Sequence, residues 1–165
     1  MLGEQAERDM KTIVLGIGNL ILSDDGVGIR VARAIKDRAI ALDVVEESGV
    51  GIAILDHVIG YDRLILIDSI KTVGGVAGDV YKLQLSDLSA SMDLTPSHGM
   101  NIATTLRLGE GMGYAMPADV IIYAIEVADN STFQEACTEE IERLIPAIAE
   151  EIIQEERLCI IHNPN

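Results

Sequence analysis

The sequence predicts an α/β fold: a single-domain three-layer sandwich, with a mainly parallel twisted sheet of about five strands and helices on both faces. Three observations predict it. Ile13–Ile17, Arg63–Ile67 and Asp119–Ile125 are apolar runs of strand length without polar alternation, as in parallel strands buried on both faces. These runs alternate with stretches whose apolar residues recur at helical spacing, so that strand, helix and strand succeed one another by residue 68. Finally, 165 residues of which 48% are hydrophobic, with a mean hydropathy of +0.28, suffice for one buried core and exclude a disordered chain.

Residues 1–10 are polar and read as a flexible extension, with no basic stretch followed by an apolar run such as a secretory signal has. The domain is expected over 11–157, with 158–165 as a loosely held tail. The first strand breaks at Gly16 and Gly18, and the first helix runs from about Gly26 to Arg38 through Val27, Val31, Ala34 and Ile35. Asp43–Glu46 is a short strand, and Ile52, Leu55, His57, Val58 and Ile59 mark a short helix. Arg63–Ile67 is a strand that ends on Asp68. Beyond the glycines at 74, 75 and 78, Asp79–Leu85 alternates apolar with polar, as an edge strand does, and an antiparallel pairing is open to it. Pro96 precedes a helix from Met100 to Leu108 that Ser97 is placed to cap, before a glycine-rich break over 109–113. The last helix spans Thr138 to Gln154, with Ile141, Leu144, Ile145, Ile148 and Ile152 on one face and Pro146 inside it.

Twelve basic against 27 acidic side chains leave a formal net charge of −15. That balance argues against nucleic acid or an anionic membrane as partner and for cations or a basic protein surface, although solubility alone also accounts for it. No apolar run approaches the roughly 20 residues of a membrane span. Cys137 and Cys159 lack the close spacing of a zinc or redox pair, so reduced thiols in a cytoplasm are the default.

In an open parallel sheet, ligands bind outside the carboxyl ends of the strands, where loops and helix starts converge. Asp25 follows the first strand, Asp68 terminates the third, and His98 precedes the helix near Met100. Each has a structural reading: Asp24 or Asp25 as a helix cap, Asp68 as an acceptor for the Ser69 region, His98 as a loop histidine. Placed on one edge, two carboxylates and an imidazole form a partial shell for Ni²⁺ or Zn²⁺. Asp68 and His98 are expected on exposed loop ends. Glu126 falls at the same edge, where it could equally hold a loop amide, and His57 reads as structural. Met100, Met112 and Met116 suit a peptide-binding surface or core filling. A dinucleotide loop is the wrong reading of Gly16-Ile17-Gly18, because Ile21 stands where the third glycine belongs and Asp24 and Asp25 would repel phosphate. No G-x-S-x-G or H-E-x-x-H occurs.

The ordered set G-I-G-N-L-I-L-S-D-D-G-V-G-I-R-V from Gly16, L-I-L-I-D-S-I from Leu64, S-H-G-M-N from Ser97 and A-I-E-V from Ala124 resembles the hydrogenase maturation endopeptidases. These enzymes clip a C-terminal extension from the large subunit of [NiFe] hydrogenases. The resemblance covers roughly Lys11 to Ile153. It implies that 11–157 is a peptidase domain and that Asp25, Asp68 and His98 are catalytic and contact nickel already bound in the precursor. Some members have Glu in place of the first acid, and Asp24 would be the helix cap beside it. It further implies no permanent metal, with Zn or Cd able to occupy the site in vitro, and cleavage after a basic residue. A carboxylate, foremost Asp68, would activate water as general base, or the metal would polarise the carbonyl. The implied partner is the cytoplasmic large-subunit precursor, which the S-H-G-M-N stretch and the glycine loop liken to an archaeal, coenzyme F420-reducing type. The oligomeric state is left open, with a monomer as the default. The rival reading is a non-enzymatic nickel-binding chaperone of the hydrogenase apoprotein.

Overall fold

The computed structural model describes residues 10–39, 41–49, 51–89 and 96–158. Apart from Met10 and Leu158, the expected extension and tail lie outside the described residues, as does Cys159. In chain order the elements are β1 (Thr12–Ile17), α1 (Val27–Arg38), β2 (Asp43–Glu47), α2 (Ala53–Val58), β3 (Arg63–Ile70), β4 (Val80–Gln84), α3 (Gly99–Gly111), β5 (Asp119–Glu126) and α4 (Glu139–Glu155). They form a five-stranded sheet ordered β2-β1-β3-β5-β4, parallel throughout except for the antiparallel edge strand β4.

Alternate residues of the central strands supply two separate cores. Val14, Ile65, Ile67, Ile121 and Tyr123 face α1 and α4, packing on Val31, Ile35, Ile141 and Ile148. Ile13, Leu15, Leu64, Leu66 and Ile122 face the other way, toward Ile54 and Val58 of α2 and Ile102 and Leu106 of α3. Strands covered on both sides need apolar residues at every position, which is why these runs do not alternate. Pro146 lies on the exposed side of α4, which stays one continuous helix. An interior proline costs about 3 kcal/mol. The buried Ile141, Ile145, Ile148, Ile152 and Ile153 outweigh it at roughly 1.5–3 kcal/mol each.

Three expected boundaries move. β1 does not break at Gly16, which pairs with both Glu46 and Ile67. Glycine is required there because a β-carbon would run into Ala32 and the Gly28 carbonyl, so it sets the close approach of α1 to the sheet. β3 does not end on Asp68 but continues to Ile70, pairing Asp68 with Ala124 and Ser69 with Ile125. Polar side chains do not stop this strand because both find hydrogen-bond partners above the sheet edge. α3 runs three residues beyond Leu108, and the turn falls instead at Gly113, whose φ of +82° only glycine adopts freely.

Candidate functional site

Asp25, Asp68 and His98 meet at the carboxyl edge of the sheet, but in settings the sequence did not reveal. Asp68 is fully buried inside β3 rather than on an exposed loop end, and His98, at the start of α3, keeps 20% of its side chain exposed. The alternation of β3 turns Asp68 toward the α3 layer. There its Oδ1 accepts the Ser69 amide at 2.8 Å and lies 2.9 Å from His98 Nδ1, while Oδ2 accepts the His98 amide at 2.8 Å. In the neutral ring, an Nδ1–H donated to Asp68 makes Nε2 the lone-pair nitrogen.

Asp25 sits in a 3-10 turn, Ser23–Gly26, that leads into α1. Ser23 carries a left-handed φ of 49°, unfavourable for a residue with a β-carbon, and Asp24 and Asp25 follow it with different tasks. Asp25 is 6% exposed; its Oδ2 accepts the Asn19 amide at 3.0 Å and its Oδ1 the Ser69 hydroxyl at 3.0 Å. Gly18 makes room for this turn, since a β-carbon there would collide with the Asp25 carbonyl oxygen.

Asp24 is not the cap of α1. That helix has no side-chain cap, and the fully buried Asp24 carboxylate instead accepts the Thr138 amide at 2.6 Å, the Thr138 hydroxyl at 3.1 Å and the Asp129 amide at 3.1 Å. It staples the Asp25 turn to the loop between β5 and α4. Nor does Ser97 cap α3: its hydroxyl lies 2.8 Å from that of Ser69, and its amide bonds the Ser69 carbonyl. Glu126 holds a loop, as one of its readings had it, accepting the Thr72 amide at 2.7 Å and hydroxyl at 2.8 Å. His57 stands 3.6 Å from Glu47. Met112 is half exposed and Met116 packs on the α2–α3 core, while the Met100 side chain lies outside what is described.

Burial pushes the Asp68 carboxyl above the usual carboxylate range, opposed by the hydrogen bond and charge of His98 and by the two amides. The hydrogen bond to Asp68 holds His98 above its ordinary 6.5; burial opposes this, and the charges of Asp68 and Asp25 reinforce it. A raised folded-state pKa means that protonation of His98 favours the fold below about 6.5 and stops doing so as pH rises through the raised value, while acid that protonates Asp68, itself raised, removes the ion pair from the other side. We expect the His98 ring resonances, followed by NMR, to titrate above 6.5, and to fall back toward it in Asp68→Asn.

Among the described residues, no three His, Cys, Asp or Glu side chains stand arranged to hold a metal ion. Every carboxylate oxygen of Asp25 and Asp68 already accepts a protein N–H or O–H.

The profile of the HycI family, described as hydrogenase maturation protease, matches residues 29–155, most of the chain. The chain belongs to the hydrogenase maturation protease family. Asp68 and His98 lie within that match and Asp25 just ahead of it. The Hydrogenase 2 maturation protease of Escherichia coli strain K12 is 32% identical over 84 residues, which are 49% of this chain and 51% of that protein. The match therefore spans about half the length of that curated relative. Two solved structures share the fold: the hydrogenase maturating endopeptidase HybD of E. coli superposes with a TM-score of 0.75 at 22% identity, over 90% of this chain and 93% of its own. The [NiFe] hydrogenase maturation protease HybD of Thermococcus kodakarensis gives 0.72 at 21%, over 91% and 100%. At that identity they speak for the hydrogenase maturation protease fold and not for residue roles.

Sequence reasoning missed Asn19, Ser69 and the true task of Asp24. One signal was present for Ser69: a small polar residue beside Asp68, at the end of the apolar run Leu64–Ile67, must face the opposite layer.

Proposed function

We propose that this protein is the endopeptidase that removes the C-terminal extension of a [NiFe]-hydrogenase large-subunit precursor after nickel insertion, with the substrate's nickel as its recognition signal. Asp25, Asp68 and His98 form the site that meets that nickel. The observation that carries this reading is the linked cluster at the carboxyl edge: oxygen and nitrogen donors, no thiolate, and carboxylates whose oxygens are already bonded by the protein. Such a cluster suits brief contact with a cation that another protein holds, rather than storage of one.

In this reading Asp68 orients His98, so that the imidazole presents Nε2 to the nickel, and Asp25 supplies an oxygen from the opposite side of β3. Of the two routes, polarisation of the scissile carbonyl by the substrate's nickel breaks no bond in the cluster, whereas Asp68 as general base must first release His98. No helix among the described residues is long and apolar enough to cross a membrane, and we assign the protein to the cytoplasm with its substrate.

The test is to mix the purified protein with nickel-loaded precursor and follow the precursor by mass spectrometry. The expected outcome is loss of the C-terminal extension, with sub-stoichiometric metal in the protein as isolated. An unchanged precursor mass refutes the peptidase reading. Tightly held stoichiometric metal assigns the carrier role instead.

A further inference from the structure

We propose that Ser69 is a positioning residue that locks Asp25, Asp68 and the start of α3 into one unit; the catalytic consequence rests on the processing reading above. Ser69 is fully buried, and its bonds point in different directions. Its amide goes to Asp68 Oδ1 at 2.8 Å and its hydroxyl to Asp25 Oδ1 at 3.0 Å. Its carbonyl accepts the Ser97 amide at 2.8 Å, and its Oγ lies 2.8 Å from Ser97 Oγ. A hydroxyl has a single proton. Donating it to Asp25 leaves Ser69 Oγ as the acceptor, so Ser97 is the donor between the two serines. The hydroxyl chain therefore has one direction, from Ser97 beside His98, through Ser69, to Asp25.

The other bonds to the two carboxylates come from separate elements: Asn19 from the β1 loop and His98 from α3. Ser69 alone among the described residues bonds both carboxylates directly. It spans the sheet edge because neighbouring residues of a strand face opposite layers, Asp68 toward α3 and Ser69 toward the Asp25 turn ahead of α1. Without its hydroxyl, Asp25 retains the Asn19 amide, but no other hydrogen bond among the described residues ties it to the Asp68–His98 pair. Supporting groups of this kind typically contribute a factor of about 10–100 in activity.

The decisive comparison is Ser69→Thr against Ser69→Val. The two substitutions have nearly the same shape and share any packing cost, and only Thr retains the O–H. Ser69→Ala, which merely removes an atom, is compared with the unaltered protein. Two readouts are taken. The first needs no substrate: hydrogen exchange of the Asn19 amide, which bonds Asp25, measured by NMR against the Thr138 amide, which bonds Asp24. Asn19 exchange should quicken at least about tenfold in the Val and Ala variants but not in Thr, while Thr138 stays unchanged. The second is cleavage of nickel-loaded precursor, where kcat should fall about 10–100-fold in Val and Ala, with KM within about threefold, and recover in Thr. Equal Asn19 exchange in Thr and Val, or equal kcat in the two where the unaltered protein cuts, overturns the positioning role. If Asn19 responds as expected but the unaltered protein cuts no precursor, Ser69 holds the cluster and the processing reading is what fails.

Discussion

A precursor without nickel is left uncut while the nickel-loaded form of the same sequence is processed: this is the largest effect we expect. The cluster offers carboxylate oxygens from Asp25 and Asp68 and an imidazole nitrogen from His98, groups that favour a cation over a neutral peptide. On the proposed reading, discrimination falls to the metal. If two contacts to nickel contribute about 2 kcal/mol each, then at about 1.4 kcal/mol per tenfold their loss weakens recognition on the order of a thousandfold. The check is cleavage of apo and nickel-loaded precursor at equal concentration. Equal rates refute nickel recognition and leave the peptidase activity standing.

Asp68→Asn should cost nearly as much, for a reason particular to its three donors. The carboxylate accepts the Ser69 amide, the His98 amide and the His98 ring. An asparagine places its NH₂ against one of those amides whichever way it turns, and in one of the two orientations against the ring as well. With the NH₂ at the Oδ1 position, Nδ1 must become the acceptor and the ring proton moves to Nε2, removing the lone pair meant for nickel. With the NH₂ at the Oδ2 position, it opposes the His98 amide at the start of α3. We expect processing to fall by about a hundredfold or more. His98→Ala removes the imidazole altogether and should fall at least as far. Because Asp68 is buried within β3, a donor left facing a donor also costs about 1–3 kcal/mol of stability. Rates must therefore be expressed per folded molecule, with circular dichroism and Tm measured alongside. Wild-type rates in either variant remove that residue from the site.

The architecture was legible in the sequence because it rests on local pattern. Runs such as Leu64–Ile67 and Val120–Ile125 are apolar at every position, which a strand covered on both faces requires. The alternating Val80–Gln84 run marked the edge strand, and the helices followed from apolar spacing. The sheet-edge rule likewise placed Asp25, Asp68 and His98 together before any contact was known.

What the side chains do there was decided by groups far away in the chain. Asp24 and Asp25 are adjacent and chemically identical, yet one bonds Thr138, 114 residues on, and the other Ser69, 44 residues on. No local pattern separates them, because a left-handed Ser23 turns the first toward the α4 loop and the second toward β3. Asp68 looked like a strand terminus because a lone carboxylate in a buried strand costs several kcal/mol. Only the fold brings the His98 ring and two amides within reach, which lets the strand continue through it to Ser69 and Ile70. Sequence by itself therefore determined which residues reach this edge, since hydrophobic burial is a property of local runs. Tertiary structure alone decided which are bonded to which, since a hydrogen bond is fixed to within a few tenths of an ångström by both of its partners.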